Sequence, residues 1–401
     1  MSGLQVPMPD VFDDLIGQDA AVAQLRNAAA DAPQARAGAR STAMTHAWLI
    51  TGPPGSGRST AALAFAAALV CPRGGCGACQ DCELTLHSGH VDVEHIVPEG
   101  VEYLRDEVDR LIERASYVPS KSPWQVIVVE DADRFSDVVG NSLLKSIEEP
   151  APGTVWILCA PSTEDVLPTI RSRCRHLMLA TPSTADVAAA LVSSIGVDPA
   201  MASFAARAAQ GHIGRARALA VDEQARLRRQ DVLRIPLQLG DLGSCLALAA
   251  ELVDTVNANA AAICDPLDAQ EEAALRTAYG DGGQGKGLGQ LERRLRSALK
   301  DMTDRQKRRR RRTVIDQLDR AVVDLMGLYR DILVVQLGAH SDLINDEMRP
   351  QIERVATAGR PQETLSRIDA LERTRHLLAA NVAPLLALES LIVTLKDPSL
   401  V

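Results

Sequence analysis

Residues 52 to 60 read GPPGSGRST. The pattern G-x-x-x-x-G-K-[ST] curls a backbone around phosphate oxygens, and this stretch meets it everywhere but at Arg58, where a lysine is expected. Gly52 and Gly57 let successive N–H groups turn toward an anion, and a helix starting near Ser59 would add its positive end. If filled, the loop would hold ATP or ADP through Gly52, Pro53, Pro54, Gly55, Ser56, Gly57, Arg58, Ser59 and Thr60, with the Ser59 hydroxyl on Mg2+. Arg58 keeps the positive charge of lysine but replaces a compact ammonium with a broad planar fork. Two readings stand: a nucleotide site with an unusual residue, or a relic loop that keeps the fold and leaves the site empty.

A second acidic position bears on that choice. A phosphate-loop ATPase usually ends its acidic strand in Asp-Glu; here the order is Glu130-Asp131. Glu130, the candidate Mg2+ ligand, is one methylene too long, and Asp131 is one too short to aim a water. Phosphoryl transfer depends on positioning, and a misplacement of about 1 Å costs on the order of 100-fold. The bland reading is an ordinary acidic strand end facing solvent. Self-hydrolysis is doubtful on either reading.

Two further groups carry chemistry. Cys71, Cys76, Cys79 and Cys82 lie in CPRGGCGACQDC, a C-x4-C-x2-C-x2-C spacing that brings four thiolates around one tetrahedral ion. Gly74, Gly75 and Gly77 allow the tight turns, and structural Zn2+ is the expected occupant, with a redox or iron–sulfur cluster as the alternative. Four protein ligands leave no open position, so such a site is structural. In TIRSRC, Arg171, Arg173 and Arg175 are alternating cations just past the last apolar strand, at the strand-end side of a sheet. That is usually a solvated face, but it can also present an arginine to a phosphate.

The elements that must position these groups alternate. Apolar strands are expected at 47–50, 124–133 and 154–160, with an Ala-rich helix after the loop and another, VVGNSLLKSIEEP, ending at Pro150. Strand–helix alternation implies a parallel sheet covered on both faces. From about 181 the strands stop, and short amphipathic helices ending in glycine predict a small helical lid. The expected boundaries are an α/β domain over 1–180 with a metal module at about 70–92, a lid over 181–225, and an all-α domain over 226–401. The last contains a flexible Gly/Arg-rich region at about 279–312.

Composition narrows the class. The chain has 401 residues, 46% apolar and 24% charged, as expected of a soluble protein with more than one core. Aromatic content of 3% predicts cores of Ala, Leu and Val. A formal charge of −9 argues against a protein that coats nucleic acid. There is no signal pattern and no run of 18 uninterrupted apolar residues, so no membrane role and a cytoplasmic location are expected. Eight cysteines, four of them clustered, fit a reducing compartment better than a disulfide scaffold.

The set FDDLIGQDAAVAQL, HAWLITGPPGSGRST, the four-cysteine insert, LLKSIEEP and SRC resembles the AAA+ subunits of the bacterial sliding-clamp loader. The resemblance covers residues 10 to 180; beyond them it rests on helical character and LYRDILVVQ. It implies an N-terminal RecA-like AAA+ domain with a zinc-binding insert, a three-helix lid and an all-α collar. It also implies a hetero-pentamer with gamma/tau and delta subunits of DNA polymerase III, acting on the sliding clamp and primer–template DNA. Against the family's motor pattern, Gly214 stands where the lid arginine is expected, with Arg215 one residue away. Ala160 and Pro161 stand where a polar sensor is expected. With Arg58 and Glu130-Asp131, these departures match the stator, or delta-prime, type. The resemblance then implies that Arg173 acts in trans on a neighbour's ATP while this chain does not hydrolyse its own. The alternatives are an active gamma/tau-like motor, and a zinc-bearing DNA-binding module using RQKRRRRR (305–312), a run more simply read as a solvated face.

Overall fold

The computed structural model describes residues 10–39, 41–279, 288–380 and 382–400. The chain divides into two compact units. One comprises Met1–Pro98 and Glu102–Val221, the other Glu99–Val101 and Asp222–Val401.

In the first unit, α1 (Asp19–Arg36), β1 (Ala47–Thr51), α2 (Arg58–Val70) and α3 (Gln80–Leu86) are followed by β2 (Val93–Ile96), α4 (Arg105–Ala115) and β3 (Gln125–Val129). Next come α5 (Asp137–Glu148), β4 (Thr154–Ala160), the short α6 (Pro168–Arg171) and β5 (Arg175–Met178). All strands are parallel, in the order β2-β3-β4-β1-β5. This is an α/β fold of the kind the resemblance implies, with the phosphate loop leaving the carboxyl end of β1. The three central strands are buried at every residue, as a sheet covered on both faces requires. One face packs on α1 and α2, where alternate residues Trp48 and Ile50, Val126 and Val128, Ile157 and Cys159 meet Phe65 and the alanines of α2. The other packs on α4, α5 and α6 through Leu49, Ile127, Val129, Trp156 and Leu158.

Two findings differ from the sequence reading. The core is not aliphatic throughout: Trp48 and Trp156 are its largest fully buried side chains, and Trp48 meets Phe65 edge-on at 5.0 Å. The edge strands β2 and β5, VEHI and RHLM, carry polar residues because an edge strand is half covered, and apolar periodicity alone does not mark them.

The helices α7 (Thr184–Ile195), α8 (Pro199–Ala209) and α9 (Ile213–Val221) form a three-helix group within the same unit, and the units part between Val221 and Asp222. The second unit is helical: α10 (Glu223–Arg234), α11 (Leu242–Tyr279), α12 (Leu288–Gln336), α13 (Arg349–Ala358), α14 (Pro361–Ala379) and α15 (Pro384–Lys396). The Gly-rich stretch expected as a flexible loop lies, at 280–287, outside the described residues. The arginine run is part of the continuous helix α12 rather than a flexible region.

Among the described residues one helix, α11, is long and apolar enough to cross a membrane by length and composition. Its buried stripe of Cys245, Ala249, Val256, Ala260 and Cys264 faces its helical neighbours, and Asp265, Asp268, Glu271 and Glu272 follow beyond it. A buried polar network closes this unit. Arg229 on α10 bonds Asp324 of α12 at 3.2 Å, Glu347 at 3.0 Å and Asn345 at 2.5 Å. The Asn345 amide and side chain in turn donate to Asp331, which is fully buried.

Candidate functional site

The phosphate loop is built from both ends. Gly52 N–H is shared between the carbonyls of Ala160 and Pro161, at 3.3 and 3.2 Å, which pins the loop to the end of β4. Backbone carbonyls thus occupy the place where the sequence lacks a polar sensor side chain. Gly55 and Gly57 take φ of +82° and +96°, and Gly57 caps α2, which begins at Arg58, one residue before the expected start. The loop therefore has an anion-cradling form at a helix N-terminus. Ser59 is exposed, and the Ser56 hydroxyl and Nη1 of Arg58 are buried without a hydrogen-bond partner. These groups fit a phosphate.

The catalytic surroundings do not. Arg58 turns its Nη2 toward the Asp131 carboxylate, 4.0 Å away. Asp131 is left-handed at φ +48° and also pairs with Arg134 at 3.5 Å, so it is directed at cations rather than held ready to aim a water. Glu130 is buried, and its Oε1 lies 3.2 Å from Nε2 of His95 on the neighbouring strand, whose Nδ1 is 2.7 Å from the Ser88 hydroxyl. The Glu130 carbonyl accepts from the Tyr103 hydroxyl at 2.6 Å. A third acid, Asp133, which the sequence pattern does not single out, lies close by. Burial, and then the nearby Asp131 charge, raise its pKa to about 6. The stretch EDAD carries it three residues after Glu130, but nothing in its type or spacing marks it as buried. Beneath the loop, burial pushes the Cys159 thiol well up, so it is an inert core residue.

The lid reaches this loop. Ile213, the first residue of α9, donates its N–H to the Gly55 carbonyl at 3.1 Å. A methyl group on Gly55 would sit 2.1 Å from Cγ and 2.5 Å from Cα of His212. The His212 ring therefore lies directly on the loop, a contact no spacing rule anticipates. Nδ1 of His212 accepts from the Arg215 N–H at 3.2 Å, and Gly214 sits beside the ring.

The four cysteines converge. Their sulfur atoms all lie within 4.8 Å of one another, with Cys71 at 3.8 Å from Cys76 and 3.6 Å from Cys79. Zn–S bonds of about 2.3 Å set tetrahedral S···S edges of about 3.8 Å, so the group could hold a metal such as zinc. Burial opposes ionisation of Cys71, but the N–H groups of Cys76, Gly75 and Arg73 outweigh it and bring the thiol to about 6. Burial, and then hydrogen bonds to Cys79 and Cys71, push Cys82 up. Cys71 directly follows α2 and Cys79 caps α3, so an ion here would tie those helices together. Val11 N–H donates to the Gly75 carbonyl at 3.2 Å, which adds the N-terminal segment to the module.

The arginine triplet resolves into three roles. Arg175 opens β5; its Nη1 donates to the Thr42 and Ala43 carbonyls at 2.7 Å, and its guanidinium lies over Trp48. Arg171 donates to the Thr163 carbonyl at 3.2 Å. Between them Cys174 points inward, its thiol raised to about 12 by burial, while Arg173 is directed outward. It engages Glu148 at the end of α5. The triplet precedes the last strand rather than following it, which corrects its expected location. In a parallel sheet the chain must return to the amino end before β5 begins, and Arg175 pairs in register with Trp48 near the start of β1. Arg173 thus lies at the opposite end of the sheet from Gly52, about 13 Å or more away at about 3.3 Å per residue.

The basic run is paired within its own unit. Arg309 bonds Asp268 and Glu271, Arg310 bonds Asp265 and Asp268, and Arg308 bonds Glu99 at 2.6 Å. Asp265, Asp268 and Glu271 are spaced along one face of α11, so the charges form a ladder between antiparallel helices. This arrangement does not favour the DNA-binding reading of 305–312.

Comparison with known proteins finds similarity over part of the chain. The family model described as "DNA polymerase III, delta subunit" matches residues 32–183. The delta' subunit of DNA polymerase III from Pseudomonas aeruginosa is 34% identical over 167 residues, 39% of this chain and 50% of that one. The corresponding subunit of Escherichia coli K12 is 36% identical over 147 residues, 34% and 43% of the two chains. The gamma/tau subunit of Mycobacterium tuberculosis is 32% identical over 174 residues, 42% of this chain and 28% of that one. The match thus spans half or less of each relative's length. Among solved structures, a DNA polymerase III gamma subunit-related protein from Thermotoga maritima aligns at 15% identity and a TM-score of 0.40, covering 87% of this chain and 93% of that one.

Proposed function

We propose, for a chain that belongs to the DNA polymerase III clamp-loader family, that it is the loader's stator. On this reading it assembles with gamma/tau and delta subunits into a hetero-pentamer that places the sliding clamp on primer–template DNA. It does not hydrolyse ATP itself, and it supplies Arg173 in trans to a neighbouring subunit's nucleotide. Its own loop can still cradle ATP or ADP as a holding site, where Ser59 and Glu130 are the residues that would hold Mg2+. The four cysteines Cys71, Cys76, Cys79 and Cys82 hold a structural Zn2+.

The observation that carries the reading is the division of labour across the sheet. At the carboxyl end, Glu130 and Asp131 face His95, Arg58 and Arg134 of this chain, and the lid rests on Gly55. At the amino end, Arg173 lies at the surface, paired with Glu148 and too far from its own loop to serve it. An arginine directed at a neighbour's phosphates stabilises the charge that develops in phosphoryl transfer, a role a planar donor fork suits. The test is ATP turnover by the purified chain alone, with and without primed DNA and clamp. No turnover above background is expected. Turnover abolished by Arg58→Ala would return the chain to the motor class.

A further inference from the structure

We infer that Glu148 is the resting partner of Arg173 and sets how readily that arginine is released to a neighbour's nucleotide, an inference that rests on the trans-arginine reading above. Glu148 is the last residue of α5, just before Pro150 ends that segment. Its Oε1 accepts from both Nε and Nη2 of Arg173. Nη1 of the same guanidinium donates to the Thr169 carbonyl at 2.6 Å and to the Ser172 hydroxyl at 3.1 Å. Every guanidinium nitrogen of Arg173 therefore has a partner within this chain. An arginine in that state is neutralised and folded back along its own surface.

To meet a phosphate it must exchange the carboxylate for the new anion. The Thr169 and Ser172 contacts come from the turn that carries Arg173 and can persist as a pivot. Glu148 comes from another helix and is the contact that has to break. The pair suits such an exchange. The Arg173 side chain is 35% exposed and that of Glu148 44%, so water and salt weaken the attraction. The turn itself is anchored by the fully buried Ile170 and the inward Cys174, so the fold does not depend on the pair. The carboxylate acts as a brake: while it holds Arg173, a neighbour's ATP lacks its trans cation, and contacts made when clamp and DNA bind favour the exchange.

The experiment is ATP hydrolysis by the reconstituted loader carrying wild-type chain, Glu148→Gln, Glu148→Ala, Arg173→Ala or Arg173→Ala with Glu148→Ala, with assembly checked by gel filtration. Exposed ion pairs correspond to roughly two- to five-fold in population. Both Glu148 variants should raise the rate without clamp and DNA about two- to five-fold and leave the fully stimulated rate near wild type. Added salt should raise the wild-type unstimulated rate toward theirs. In the Arg173→Ala background the Glu148 change should do nothing. A Glu148 variant with an unchanged or lowered unstimulated rate, while Arg173→Ala lowers stimulated turnover, overturns the brake and leaves the stator reading standing. No effect of Arg173→Ala on stimulated turnover overturns both.

Discussion

Replacing Gly55 by alanine tests the contact between lid and phosphate loop. The backbone there has φ +82°, where a side chain costs about 1–2 kcal/mol. The new methyl would also lie 2.1 Å from Cγ and 2.5 Å from Cα of His212. Because the backbone Cα is involved, a rotamer change cannot relieve the clash, and α9 must move off the loop. That movement sacrifices the Ile213–Gly55 hydrogen bond, about 1 kcal/mol. The expected loss is about 2–3 kcal/mol, a large share of the 5–15 kcal/mol typical of a domain. Gly196→Ala is the internal control: it has φ +72° with nothing within 4 Å of the new methyl, so it should show the backbone cost alone. The readout is urea unfolding followed by tryptophan fluorescence, since Trp48, Trp124 and Trp156 all lie in the first unit. Hydrogen exchange at the Ile213 amide supplies the local measurement. The reasoning is refuted if Gly55→Ala costs no more than Gly196→Ala and Ile213 stays protected.

Three other predictions concern the scaffold. Asp92 is buried, and although burial opposes its charge, N–H groups of Ser120, Ser122 and Lys121 lower its pKa from 3.8 to about 2. Its contribution, on the order of 2 kcal/mol, should be full above about pH 5 and be lost as pH falls through about 2. Asp92→Asn should therefore destabilise at pH 7 and flatten the acid limb of a stability–pH curve; an unchanged acid limb would contradict this. Arg229→Met removes the buried cation bonded to Asp324, Glu347 and Asn345, and helical unfolding of the second unit should show a loss of about 3–5 kcal/mol. Adding Asp324→Leu should recover most of it; no recovery would mean the loss came from packing. Removing metal with a strong chelator, or Cys79→Ser, should release about one zinc per chain and raise hydrogen exchange in α3 and around Val11. Unchanged exchange after complete metal removal would argue against a role for the ion in holding the module.

What the sequence disclosed and what it hid follow from range. Local chemistry was legible: the glycines of GPPGSGRST, the four cysteines and the buried strand TVWILCA need only near neighbours to be interpreted. Contacts between distant segments were not. His95 meets Glu130 across 35 positions and Ile213 meets Gly55 across a longer gap, and nothing in either residue type announces the partner. Edge strands escaped because half-covered strands lose their apolar signature. The arginine run read as solvated or DNA-binding because the acidic stripe that pairs with it lies on another helix. The end of the sheet at which Arg173 sits is hidden from the sequence for a topological reason: the crossover before β5 brings it to the amino end.

The central claim is that the working residue of this chain serves a nucleotide bound elsewhere. Its most direct test is clamp- and DNA-stimulated ATP hydrolysis by the reconstituted loader, comparing wild type with Arg173→Ala at matched assembly. Loss of one trans arginine is expected to lower stimulated turnover by at least about 10-fold at the affected site, with the pentamer intact. A stimulated rate equal to wild type would confine Arg173 to a structural pair with Glu148 and contradict the account.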